Sequence, residues 1–157
     1  MTGQAVSAKA AAQGDPRVIR VDQFLPHPPE KVWRAITEPD LIAKWLMPND
    51  FKLEVGHTFT FQGFPIPAAG FGGTGHSEVL DFEPEKMLRI AWRAAPADPS
   101  TLDSTVTFTL EPEGTGTRLF LVHDGFNPDD SYQAASHRFM SGGWPGVLAK
   151  VSQAIPG

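Results

Sequence analysis

At 157 residues, 41% hydrophobic and 20% charged, the chain has the size and balance of one globular domain built around a single core. A net charge of −5 and the absence of any Lys/Arg cluster argue against a nucleic-acid partner or binding to an anionic membrane surface, while zero cysteines exclude disulfides, thiolate catalysis and cysteine-ligated zinc. No apolar run approaches the ~18 residues of a membrane span and no secretory h-region opens the chain, so a cytoplasmic location is expected.

Residues 1–16 are small and polar with no apolar face and read as a flexible tail, leaving 17–157 as the domain. Arg17 to Leu25 alternates and predicts a first strand facing inward through Ile19, Val21 and Leu25. Two short helices follow. Pro29 and Pro39 suit first helical positions, where the fixed φ helps and the missing N–H costs nothing. Val32, Ala35 and Ile36 form the buried stripe of the first helix, and Leu41, Ile42, Trp45 and Leu46 that of the second. No Ser, Thr, Asp or Asn stands where Pro29 would be capped, so packing has to hold that end.

Phe51, Leu53 and Val55 alternate up to Gly56, and His57 to Phe64 returns with Phe59 and Phe61 on one face, which predicts a hairpin. Phe64 to Gly73 holds two prolines and three glycines, so it is a loop that covers a core edge or lines an entrance. Its neighbour GFGGTG, Gly70 to Gly75, lacks the Lys-Ser/Thr ending of a phosphate loop and does not open a helix. A second hairpin is expected at His76–Phe82 and Met87–Arg93, then a loop over Ala94–Thr101. A third is expected at Thr105–Leu110 and Thr117–Asp124.

Asn127-Pro128-Asp129-Asp130 has the composition of a helix start, with Asn127 as cap and Pro128 first. Tyr132, Ser136, Phe139, Gly143, Val147, Val151 and Ile155 form one stripe along about 24 residues, and Pro145 is expected to kink that helix without ending it.

The residues carry a resemblance. Pro28 to Trp45, Gly56, SEVLDFEP at Ser77–Pro84, Leu88–Trp92, GTRLFLVHDGF at Gly116–Phe126 and GGW at Gly142–Trp144 together resemble the START-like helix-grip superfamily, SRPBCC. Within it they are similar to the branch of the heat-shock-protein-90 ATPase activator. The resemblance implies an α+β fold in which a curved antiparallel sheet of about seven strands grips a long C-terminal helix. It also implies a cavity between sheet and helix, closed at one end by the helix pair.

Candidate site residues follow partly from strand parity. If Leu88, Ile90 and Trp92 point inward, simple pairing carries Leu80, Phe82, Glu78 and His76 inward too, and His123 shares a face with Leu119 and Leu121. Glu78 and His123 are thereby the candidates for general acid/base work. The structural alternative pairs Glu78 with a basic side chain at the sheet rim and has His123 bond a loop carbonyl. Trp92 and Trp144 are carried over from the resemblance as ligand contacts, and Phe61 and Phe139 join them on parity.

The ligand-binding set is therefore Phe61, His76, Glu78, Trp92, His123, Phe139 and Trp144, with an apolar or amphipathic small molecule as partner. The histidines at 27, 57, 76, 123 and 137 show no metal-binding spacing, and neither a metal nor a cofactor is expected. Three functions stand: non-enzymatic small-molecule binding, a cyclase- or hydrolase-like enzyme, and a chaperone ATPase activator-like interaction domain. The last is unsupported by any motif beyond the resemblance, and a homodimer is left open.

Overall fold

The computed structural model describes residues 15–63, 73–93 and 102–156. The readings made for residues 1–14, for Phe64 to Gly72 and for Ala94 to Thr101 lie outside them. Strand β1 (Val18–Leu25) leads into helices α1 (Pro29–Thr37) and α2 (Pro39–Trp45), which carry the chain to the far edge of a sheet. From there β2 (Thr58–Gln62), β3 (Thr74–Glu83), β4 (Met87–Arg93), β5 (Asp103–Glu113) and β6 (Gly116–Asp124) return as successive antiparallel neighbours. The return ends with β6 against β1, so the order is β1-β6-β5-β4-β3-β2. Helix α3 (Ser131–Ala149) and the short α4 (Val151–Ala154) complete the α+β arrangement.

The helix pair forms as its sequence requires. Pro28 sits at the cap of α1 with no side-chain hydrogen bond, and Val32, Trp33, Ala35 and Ile36 are buried instead. In α2 the buried side chains are Leu41, Ile42 and Trp45, and the Trp45 indole N–H donates to the Ala35 carbonyl at 2.8 Å. A buried indole needs an acceptor, and this one ties the second helix to the first.

Where a seventh strand is expected, at Phe51 to Val55, the backbone makes no ladder. An isolated bridge joins Asn49 to Phe61, and side chains do the pairing: Asp50 Oδ1 accepts from the Thr60 amide at 2.6 Å and Asn49 Oδ1 from the Phe51 amide at 3.0 Å. The Pro48 carbonyl accepts from Gln62 N–H. The free edge of β2 is thus closed by a strap of polar side chains, which removes an exposed template for strand addition.

Helix α3 also departs from its expected phase. Its cap is Asp130, whose Oδ1 accepts from the amides of Tyr132 and Gln133, while Asn127 Oδ1 closes a local turn onto the Asp129 amide. The buried face runs through Gln133, Ser136, His137, Trp144 and Leu148, so Phe139, 48% exposed, and Gly143 lie outside it. The buried stripe is displaced by one position from the apolar one because part of the buried face is polar. Those groups are paired: His137 Nε2 donates to the Val18 carbonyl at 2.9 Å, and Gln133 Oε1 accepts from the Asn127 amide at 2.8 Å.

Pro145 lies inside α3, which continues past it; the helical run is interrupted at Lys150 instead, and Val151, Ala154 and Ile155 remain buried. Replacing the exposed Pro145 by Ala is expected to raise stability by about 1–2 kcal/mol. The ~3 kcal/mol helix penalty of proline is partly offset by the freedom alanine returns to the unfolded chain. Thermal unfolding should read this as a midpoint raised by about 3–6 °C. An unchanged or lowered midpoint would show that α3 carries no such penalty.

Candidate functional site

On β3 the inward residues are Gly75, Ser77 and Val79, and then Phe82, because the pairing with β4 slips between Val79 and Asp81. Val79 opposes Ile90 and Asp81 opposes Arg89, so Leu80 is the extra residue of a β-bulge. One added residue reverses the parity of everything before it. His76 and Glu78 therefore lie on the outer face, opposite Arg93 and Ala91. There Glu78 pairs with Arg93 at 3.4 Å, and Arg93 Nε also meets Asp103 at 2.9 Å. The rim ion pair holds, and the inward placement of His76 and Glu78 does not.

His123 does face inward, between β5 and α3, and is completely buried. Its partners are side chains rather than a loop carbonyl. The Trp144 indole N–H donates to Nδ1 at 3.1 Å, and Nε2 meets Ser104 Oγ at 2.7 Å, which in turn donates to the Trp92 carbonyl at 2.7 Å. Indole can only donate and the Trp92 carbonyl can only accept, so every proton in this chain is assigned: His123 is neutral with its hydrogen on Nε2. Burial, with a smaller contribution from the nearby His137, pushes the imidazole down to about 3.

Neither ring nitrogen is left for a substrate, and a base so weak is far from the acidity that proton transfer near neutral pH needs. Glu78 is on the opposite face, with two strands between its own and that of His123 and each neighbouring pair ~4.8 Å apart. The expected acid/base pair is not assembled.

What the fold does bring together is aromatic. Trp92 packs on Trp144 with ring centroids 5.4 Å apart at 62°, and on His123 at 5.8 Å. Phe61 lies 5.3 Å from Trp92 on one side and 5.3 Å from Phe59 on the other. Phe126 lies tilted 4.6 Å from His123 and edge-on 5.1 Å from His137. Of the expected ligand set, Phe61, Trp92, His123 and Trp144 meet here, whereas His76, Glu78 and Phe139 do not. Ser104 and Phe126 are members that sequence reasoning misses, although Ser104 has the inward parity of Val106, Phe108 and Leu110 on β5.

Beneath the helix pair a gap of about 10 Å³ is walled by Ile36, Trp45, Phe59, Phe61, Ile90, Phe108 and other apolar side chains. It holds at most one water, against the roughly 300 Å³ from which ligand pockets start. The resemblance implies a cavity closed at this end by the helix pair, and here the side chains of that closure leave only this gap. Among the described residues no three His, Asp or Glu side chains gather as a metal site, and no helix is long and apolar enough to cross a membrane.

A curved antiparallel sheet with a paired-helix insertion and a C-terminal helix over its inner face defines the helix-grip class of proteins. Residues 26–155 match the family described as activator of Hsp90 ATPase homolog 1-like protein, and the chain belongs to that family. Among solved structures it is similar to protein MLL2253 from Mesorhizobium loti, at 42% identity and TM-score 0.75 over 88% of this chain and 96% of that one. CalU16 from Micromonospora echinospora is 27% identical at TM-score 0.65, over 87% of this chain and 74% of that one. The Aha1 dimer from Colwellia psychrerythraea shares the fold at 21% identity and TM-score 0.66, over 88% of this chain and 95% of that subunit. No curated protein matches the chain.

Proposed function

We propose that the protein is a non-enzymatic binding module for a flat apolar or aromatic small molecule, received at the end of the sheet where Phe61, Trp92 and Trp144 stand. The observation that carries this reading is an aromatic wall whose polar atoms are already spent on one another. Such a wall offers ring faces and edges to a ligand but no free proton donor or acceptor from His123. Trp92, only part-buried, is the exposed member. The strands bearing Phe61 and Trp92 end there, at the segments leading into residues 64–72 and 94–101. Aromatic contacts of this kind are worth about 0.5–1.5 kcal/mol each beyond burial, so two or three suffice for micromolar affinity when added to the area removed from water.

The test is a titration with naphthalene-2-sulfonate followed by the indole N–H resonances of the four tryptophans. Trp92 and Trp144 are expected to shift while Trp33, on the helix pair, stays in place. Native mass spectrometry of freshly purified protein should reveal any co-purified molecule of the same class. No shift at millimolar probe together with a bare protein mass would defeat the reading.

A further inference from the structure

Phe61 belongs to two groups of residues. Its ring forms part of the wall of the gap beneath the helix pair, and the same ring meets Trp92 in the aromatic wall. Trp92, Trp144 and His123 do not line that gap; Trp45 does. We infer that Phe61 is the partition between the proposed aromatic site and an inner apolar chamber, and that it sets the length of ligand the protein accepts. This rests on the binding reading above and adds a specificity-determining residue to it.

Three observations support the partition. The gap is lined by apolar side chains, so the apolar end of a ligand entering it would leave no polar group unpaired. At about 10 Å³ it is too small for anything beyond a single water while the Phe61 ring is in place. That ring is also held from both sides, 5.3 Å from Phe59 at 73° and 5.3 Å from Trp92 at 34°, so it does not swing freely out of the way. Removing it joins the gap to the site by the volume of a phenyl group. A molecule one ring longer than the outer site tolerates could then extend toward Trp45, whose indole N–H is fixed on Ala35 and reports on that chamber.

The experiment uses the full chain, with naphthalene-2-sulfonate and anthracene-2-sulfonate as two- and three-ring probes, and reads the tryptophan indole resonances against each unliganded variant. In the wild type, naphthalene-2-sulfonate should move Trp92 and Trp144 and leave Trp45 unmoved, and anthracene-2-sulfonate should bind at least tenfold more weakly. In Phe61→Ala the three-ring probe should gain tenfold or more and should move Trp45. Phe61→Leu, which keeps most of the packing, should show the same direction with a smaller gain and serves if the alanine variant does not fold.

Trp45 moving in the wild type, or staying still in both variants while Trp92 and Trp144 shift, would overturn the partition alone. Neither probe moving Trp92 or Trp144 in the wild type would overturn the binding reading and the partition with it.

Discussion

His123→Gln is expected to flatten the acid side of the stability profile. In the folded protein the imidazole is held neutral to about pH 3, whereas in the unfolded chain it titrates near its ordinary 6.5. The depressed value means that the unfolded state binds the proton first. The stabilisation is complete above about pH 6.5 and is lost as pH falls toward 3, at roughly 1.4 kcal/mol per pH unit between those limits. Urea unfolding at pH 6.5 and 4.5 should therefore show the wild type losing roughly 3 kcal/mol more than the glutamine variant over that interval.

Carboxylates also gain protons on acidification, and the hydrogen bonds that Glu113 accepts from Arg118 hold its carboxyl below the usual range, but these groups are common to both proteins and cancel in the difference. Glutamine keeps an acceptor for Trp144 and a donor for Ser104 without a titratable ring. Its cost at neutral pH should thus be modest, while Ala would leave the Trp144 indole unpaired in a cavity. Parallel profiles in the two proteins would mean that His123 is not buried neutral.

Gly116→Ala should be strongly destabilising for so small a change. A Cβ there would stand 2.5 Å from the Leu25 carbonyl oxygen and 2.7 Å from Cζ of Phe24, both on the neighbouring strand. Phe24 is partly exposed and can swing aside, but the Leu25 oxygen is backbone in the β1–β6 ladder and can move only if the pairing opens. A loss of about 3 kcal/mol is expected, near the upper end for overpacking, and a thermal midpoint lower by about 8 °C. Gly114, two residues away in the same turn, sets the scale. It has φ +59° and open space where a methyl group would stand, with no atom within 4 Å, so alanine there should cost only the ~1 kcal/mol of a left-handed backbone. Equal losses at the two positions would show that conformation, and not the Leu25 contact, decides.

Much of this architecture is legible in the residues. The prolines at 29 and 39 mark both helix starts, and the alternation in β4, β5 and β6 gives strand positions and inward faces, because one side of the sheet is buried and the period of two is strict. Trp92 and Trp144 are legible as neighbours because in the resemblance the corresponding strand and GGW positions both lie close to the cavity. Three features were hidden for separate reasons. The bulge at Leu80 is one ordinary hydrophobic residue with no Gly or Pro to mark it, and it alone turned His76 and Glu78 outward. The phase of α3 was obscured because Gln133 and His137 look like surface residues until their partners, Asn127 and Val18, are in place. Phe51, Leu53 and Val55 imitate a strand in their alternation, yet the edge of β2 is met just before them, by the Asn49 and Asp50 side chains and the Pro48 carbonyl.

The Leu80 bulge also bears on how domains of this kind diverge. Were Leu80 instead drawn into regular pairing opposite Ile90, with β4 and the remainder of β3 unchanged, Thr74 to Val79 would slide by one place and the whole segment would turn over. His76 and Glu78 would then project into the interior beside the aromatic wall, and Ser77 and Val79 would face solvent. Between an aromatic interior and one furnished with an ionisable couple there stands one place of register in a single strand, with none of the residues that change sides substituted.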